Sequence, residues 1–370
     1  MSTSAEKDTL HHVGAACQKP EIALRVGLTD ESAITYDVTV PENGDPTLPF
    51  APEAPQPLRG LFHLGFRIAC QTCNNGASHG DGAMIYSSGQ HYLNAAQKRV
   101  LLFGMSGLGK TYLSNMLRGA GDWFHYSVDY RIGTRYMGEY IADNFKREVM
   151  KVPLLRELML SDSVYIASNI TFDNLAPLST YLGKPGDPVR GGIGFPEYQR
   201  RQAQHAQAEV AAMLDAPRFI DRAQDIYGYQ HFVCDTSGSI CEVVDAANPA
   251  DPVMTALAAN MLLVWIKGSD AHKAELARRF DRAPKPMYYR PDFLLDLWAE
   301  YLTAQGLPAD QVDPDAFLRF GYARLLDHRQ PRYGAMAQWG VTVTAEEVAQ
   351  VRSPTDFDTM ITTAIDRQGA

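Results

Sequence analysis

The sequence predicts an α/β fold, a parallel sheet covered by helices on both faces. Three observations carry that prediction. From Lys98 onward, short apolar runs alternate with stretches of helical composition. The first run, Val100-Leu-Leu-Phe103, feeds a glycine-rich loop that opens into a helix. Two later runs end in an aspartate, at Asp129 and Asp235. Alternation of this kind sets the strands parallel and buries them between helix layers. A poorly defined N-terminal segment and a helical C-terminal extension are expected to flank this core.

The loop is Gly104-Met-Ser-Gly-Leu-Gly-Lys-Thr111, which fits G-x-x-x-x-G-K-[ST]. Its glycines allow a tight turn in which successive backbone N–H groups converge on phosphate oxygens. The helix that follows, Tyr112 to Arg118, turns its positive dipole end toward the same oxygens. Gly104, Ser106, Gly107, Leu108, Gly109, Lys110, Thr111 and Tyr112 are therefore the expected nucleotide-binding residues. Lys110 is assigned to the β/γ-phosphates, and the Thr111 hydroxyl to Mg²⁺. This pattern predicts binding of a nucleoside triphosphate.

The remaining elements follow in order. Residues 1–97 are rich in Pro between Pro41 and Pro57, and in Gly, Ser and Asn between Asn74 and Gly89. Within them only Ile34-Thr-Tyr-Asp-Val-Thr-Val40 alternates as a strand does. Strand candidates then come at Val100–Phe103, Trp123–Val128, Val164–Ala167, His231–Cys234 and Leu262–Ile266. Helices are expected over Gly138–Met150, Glu197–Leu214 and Ala271–Phe280. A polar insertion, rich in Pro, Gly and Asp, runs from about Phe172 to Gly194, and the longer segment 172–228 that contains it stands as an insertion of unassigned role. Beyond Pro291 the chain reads as helical, at Phe293–Leu302, Ala316–Leu326, Ala345–Val351 and Phe357–Ile365. The expected organisation is an N-terminal extension over 1–97, a nucleotide-binding domain over 98–290, and a helical extension over 291–370.

Composition narrows the class. Apolar residues make up 45% of the 370 and charged residues 21%, ordinary for a globular protein with a substantial core. No apolar run reaches the roughly 18 residues of a membrane span. The first residues lack a secretory signal, and five cysteines do not form a disulfide framework, so a cytoplasmic protein is expected. A net charge of −9 argues against a nucleic-acid-binding surface and for a small ligand.

Asp235, at the end of His231-Phe-Val-Cys234, suits a carboxylate that helps hold Mg²⁺. Asp129, at the end of the second strand, suits a carboxylate that orients or deprotonates an acceptor hydroxyl. Arg131 and Arg135 follow it closely, and Arg190 and Arg201 gather further on. All four suit an anionic acceptor, which guanidinium groups grip by paired hydrogen bonds. No Glu follows Asp235 and no Asn-Lys-x-Asp run is present, which points away from motor ATPases and guanine-reading proteins.

On these pieces, residues 98–290 resemble the P-loop kinases of small molecules, the group of nucleoside monophosphate, shikimate and gluconate kinases. The resemblance rests on Gly104–Thr111, Asp129 with its arginines, Asp235, and Leu262–Lys267 followed by a helix bearing Arg278, Arg279 and Arg282. It implies a lid whose arginines, Arg278 and Arg279 foremost, stabilise charge on the transferring phosphoryl group. It also implies an ATP- and Mg²⁺-dependent phosphotransferase acting on a small anionic metabolite, with Lys110 and Asp129 as catalytic residues. The insertion and the tail lie outside the resemblance, so the acceptor is not carried over.

Two other readings compete with it. One is a regulatory ATPase or nucleotide switch acting on a protein partner. The other is a polynucleotide-end kinase, which the acidic balance disfavours. Elsewhere, Cys70 and Cys73 with His63, His79 and His91 do not make a zinc pattern. Lys285-Pro-Met-Tyr-Tyr-Arg290 places two aromatics between cations, suited to stacking on a base or to anchoring a loop. Cys234 and Cys241 are expected to be packing residues.

Overall fold

The computed structural model describes residues 84–369 and, nearer the N-terminus, two strands, β1 (Leu24–Thr29) and β2 (Ala33–Val38). β1 and β2 form an antiparallel hairpin running from Leu24 opposite Val38 to Thr29 opposite Ala33. Of the alternation at Ile34–Val40, the described part is the strand Ala33–Val38, and it belongs to a unit separate from the rest of the chain. Cys70, Cys73, His63 and His79 lie outside the described residues.

The second unit begins with the short helix α1 (Gly89–Asn94) and then β3 (Arg99–Phe103). The loop 104–109 leads into α2 (Lys110–Gly119), then β4 (Trp123–Ser127), the single turn α3 (Val128–Arg131) and a π-helical turn, Ile132–Tyr136. Next come α4 (Gly138–Val149), α5 (Pro153–Leu160) and α6 (Ala176–Leu182), and after them the long α7 (Phe195–Asp225). β5 (His231–Asp235), α8 (Ile240–Val243), α9 (Pro252–Ala258), β6 (Leu262–Lys267) and α10 (Asp270–Arg282) follow. The chain closes with α11 (Pro291–Gln305), α12 (Pro314–Ala337), β7 (Val341–Thr344), α13 (Ala345–Val348) and α14 (Pro354–Gly369).

Five strands form one parallel sheet in the order β4-β5-β3-β6-β7. The central strands are buried along nearly their whole length: Val100 to Phe103, Phe232 to Cys234 and Leu263, Val264 and Ile266 have no exposure. That is why they read as unbroken apolar runs rather than alternating ones. Register aligns their tips. Leu102 sits opposite Asp235, and Asp235 opposite Ser127 of β4. β3 is followed in sequence by β4 on one side, whereas β6 adds on its other side, so the crevice at the carboxyl ends lies where strand order switches.

Three expectations need correction. Val164–Ala167 is not a strand: it runs as coil, with Tyr165 86% exposed, because no sheet edge lies beside it to satisfy its backbone. The tail is not wholly helical, since Val341–Thr344 is the fifth strand, paired parallel with β6. The helix expected from Glu197 to Leu214 extends on to Asp225, through Pro217.

The flanks at 84–97 and 291–370 belong to the same unit as the core. The Gly89 amide donates to Asp366 Oδ1 of α14 at 2.7 Å, and the Tyr92 hydroxyl donates to Asp358 at 2.8 Å. Among the described residues no helix is long and apolar enough to cross a membrane.

Candidate functional site

The loop 104–109 is built by positive φ angles that only glycine adopts without strain. At Gly104 φ is +136°, and an added Cβ would come within 2.6 Å of the Ile266 carbonyl oxygen. At Gly109, the residue before α2, φ is +103° and a Cβ would come within 2.7 Å of Val348 Cγ1. Lys110 begins α2 and is buried, its Nζ donating to the carbonyls of Gly104 at 2.9 Å and Met105 at 3.2 Å. Burial pushes the Lys110 ammonium down from its usual range, while the nearby Asp235 and Asp129 carboxylates act the other way.

A cavity of about 440 Å³ opens over this loop, lined by Ser106, Lys110, Thr111, Tyr112, Asp129 and Asp235 among others. Gly107 and Gly109 also line it. The Leu108 side chain instead turns into the core beside Gly268, and Gly104 packs against β6, so neither side faces the cavity. The Thr111 hydroxyl donates to Asp235 Oδ2 at 2.9 Å. A hydroxyl and a carboxylate at that separation are hard oxygen donors suited to Mg²⁺, which keeps several waters and takes few protein ligands. No group of three or more metal-ligating side chains occurs among the described residues, and a site shared with phosphate oxygens requires none.

Asp129 sits one residue past the tip of β4, on the first turn of α3. Burial and the Asp235 charge push its carboxyl up to about 6, against the pull of Lys110. Its pKa therefore falls near the range where a general base works at neutral pH. His125 Nε2 stands 3.8 Å from Asp235 Oδ2, and neither of its buried ring nitrogens has a hydrogen-bond partner among the described residues.

The turn after Asp235 is held from three directions. Thr236 donates through its amide and hydroxyl to the Leu102 carbonyl, at 3.2 and 3.0 Å. Ser237 and Ser239 both donate to Glu209 of α7, the Ser239 bonds being 2.8 and 3.0 Å. The Gly238 carbonyl accepts from Arg329 at 2.7 Å and from the Tyr333 hydroxyl at 2.6 Å, both on α12. Arg329 also donates to Glu242 at 2.9 Å and to the Tyr288 carbonyl at 2.7 Å. Burial pushes Glu209 up to about 7 and His205, one helical turn earlier, down to about 4.

The arginines expected at the site divide. Arg131 is committed to Asp215 of α7, at 2.9 Å from Nε and 2.6 Å from a terminal nitrogen. Arg201 is buried and spent on Glu197, the Tyr181 carbonyl and Asn144. Both therefore brace α7 instead of presenting free donors, which corrects their expected contact with an acceptor. Arg135 is exposed and does not line either cavity at the loop. Arg190 pairs with Asp187 and Asp313, away from the loop. Arg278 and Arg279 both donate to Glu275, one turn earlier on α10. Of the two, Arg279 lines the cavity described next and Arg278 does not.

A second cavity, of about 630 Å³, shares Ser106, Gly107, Asp129 and Gly238 with the first. α10 overhangs the junction: a Cβ on Gly107 would come within 2.9 Å of Leu276 Cδ2. The Lys285–Arg290 segment forms part of its wall through Met287 and Tyr288, while Tyr289 is wholly buried. Gln202 anchors that segment, its amide donating to the Met287 carbonyl and its carbonyl accepting from the Tyr289 amide. Glu209, Arg329 and Tyr333 were not legible as site residues. A faint signal existed for one pair, since His205 and Glu209 stand four apart on the helix expected over Glu197–Leu214.

No protein-family model matches the chain, and no curated protein does. Among solved structures the chain is similar to shikimate kinase from Bacteroides thetaiotaomicron. The identity is 16%, over 73% of this chain and 96% of that one, with a TM-score of 0.29. A likeness this distant carries no argument about the chemistry, which rests on the geometry above.

Proposed function

We propose that this chain is a Mg²⁺-dependent phosphotransferase that moves the γ-phosphoryl group of ATP onto a hydroxyl of a small anionic acceptor. One observation carries the reading. Two carboxylates from the tips of neighbouring parallel strands line the same cavity as the lysine and threonine of a phosphate loop.

In this reading the loop amides and Lys110 hold the β- and γ-phosphates. Thr111 and Asp235 would hold the metal ion, which when bound neutralises charge on the phosphate oxygens. Asp129 orients the acceptor hydroxyl and takes its proton. The hydroxyl oxygen bonds to the γ-phosphorus as the bond to the β-phosphate oxygen breaks, and ADP leaves. α10, with Leu276 over the loop and Arg279 at the rim, excludes water and supplies positive charge. Because Asp129 works as the carboxylate, transfer weakens as pH falls through about 6.

The test is transfer of label from γ-labelled ATP into a metabolite extract, with ATP consumption followed with and without the extract. A phosphotransferase labels a small molecule and speeds up with the acceptor. A second reading, a nucleotide switch acting on a protein, is favoured by the apolar surface near α5, where Leu154 is 65% and Leu160 72% exposed. The same assay separates the two, because a switch leaves small molecules unlabelled and responds only to a macromolecular fraction.

A further inference from the structure

The second cavity has more room, and a different chemistry, than a compact polar acceptor needs. It meets the nucleotide cavity at Asp129 and a third cleft, of about 820 Å³, at Leu175, Ser179, Lys285 and Pro286. The three cavities therefore adjoin one another in a row from the phosphate loop past Asp129 to the surface at Lys285. The middle of the row is walled by Leu178, Leu182, Phe280, Met287, Tyr288 and Tyr322.

Several polar groups along that middle are already spent, although His205 Nδ1 has no hydrogen-bond partner among the described residues and Tyr288 and Tyr322 bring hydroxyls to the wall. Ser237 and Ser239 donate to Glu209, and Arg329 is shared among Glu242, Gly238 and Tyr288. His205 is held neutral by burial and stacks on Tyr288, with ring centroids 5.2 Å apart. Among the cations along the row, Arg279 is bound to Glu275, Lys184 to Asp315 and Arg190 to Asp313. Lys285 makes no ion pair among the described residues, and Pro284 and Pro286 fix the backbone on either side of it.

Resting on the phosphotransfer reading, we infer that the acceptor is an elongated amphiphilic alcohol. Its hydroxyl lies at Asp129, its apolar body lies along α6 and Met287–Tyr288, and its far anionic group lies at Lys285. A polyol acid of similar length would lay most of its hydroxyls against leucine, methionine and aromatic carbon, with few free polar partners, which disfavours it. The cavity's volume falls within the range that encloses ligands well beyond a six-carbon acid.

The experiment uses the full chain, γ-labelled ATP and a length-matched panel. The panel holds sugar acids, ω-hydroxyalkanoic acids and hydroxyalkyl-benzoic acids, each paired with its uncharged methyl ester. The expected result is labelling of the aliphatic or aromatic acids over the sugar acids. Each such acid should be preferred to its ester by about tenfold in kcat/KM, the worth of one charge-assisted hydrogen bond.

Lys285→Met should bring that acid-to-ester ratio to near one, an internal comparison that a loss of folded protein does not move. Preference for sugar acids, or an acid-to-ester ratio unchanged in Lys285→Met, overturns the inference while leaving phosphotransfer standing. If neither the panel nor a metabolite extract accepts label, phosphotransfer itself fails and the inference falls with it.

Discussion

The Thr111 hydroxyl donates a 2.9 Å hydrogen bond to Oδ2 of Asp235, joining the first turn of α2 to the tip of β5, 124 residues along the chain. The bond sets two oxygen donors side by side where the loop 104–109 ends. It follows from sheet register: β3 and β5 are adjacent and parallel, so the loop leaving β3 and the aspartate ending β5 emerge at one edge.

Asp235→Asn should weaken this site for metal. The Mg²⁺ concentration for half-maximal ATP turnover is expected to rise by about tenfold or more, since the amide keeps the shape but loses the charge. A metal titration of turnover checks it. An unchanged midpoint would place the metal elsewhere.

Lys110→Ala removes the ammonium that lines the loop's cavity. ATP affinity, read by calorimetry, should fall by roughly a hundredfold, because a buried charge-assisted contact to phosphate is lost. Native affinity in this variant would mean that the loop does not hold the phosphates.

Arg329→Met should destabilise the protein without touching the loop. It leaves Glu242 buried and short of its main partner, at a cost of about 3–5 kcal/mol. Urea denaturation measures the loss, and adding Glu242→Leu should recover part of it. A loss under about 1 kcal/mol would show the clamp on the Asp235 turn to be marginal.

Glu209→Gln should change how stability depends on pH. Glu209 is pushed from an ordinary 4.5 to about 7, so the folded chain keeps a proton that the unfolded chain has released in between. That contribution is present below about 4.5 and is lost as pH rises through about 7. His205, lowered from 6.5 to about 4, acts oppositely, adding stability as pH rises from about 4 to 6.5. In the native chain the two slopes largely cancel. Gln at 209 removes the Glu209 slope and leaves that of His205 opposed by that of Asp129, raised to about 6, so the variant should gain about 3 kcal/mol relative to native between pH 4.5 and pH 8. Denaturation at those two pH values tests the sign, and a constant difference would contradict it.

Much of the core was legible because its signals are local. The loop 104–111 is one contiguous segment, and the buried strands at Val100, His231 and Leu262 are unbroken apolar runs. β7 was missed because four alternating residues, Val341-Thr-Val-Thr344, lie between helices and show their purpose only when β6 lies beside them. The reverse error, at Val164–Ala167, has the same root: a run with strand composition stays coil when no edge receives it.

The support of the site was illegible for a different reason. Glu209 and Arg329 stand 26 residues before and 94 residues after Asp235 in the chain, on helices that carry no local signal of a site. Only packing brings them against the 235–239 turn. Arg131 and Arg201 misled in the opposite direction. Their spacing near Asp129 and the insertion suited an anion, but Asp215 and Glu197 on α7 had already taken them.

The most direct measurement is single-turnover transfer from γ-labelled ATP by Asp129→Asn, with ATP affinity measured on the same sample. Native-like affinity is predicted, with transfer slowed by about a hundredfold or more, as loss of a positioned general base requires. Transfer at the native rate would contradict the assignment of Asp129, and with it the reading of the two strand-tip carboxylates as phosphotransfer machinery.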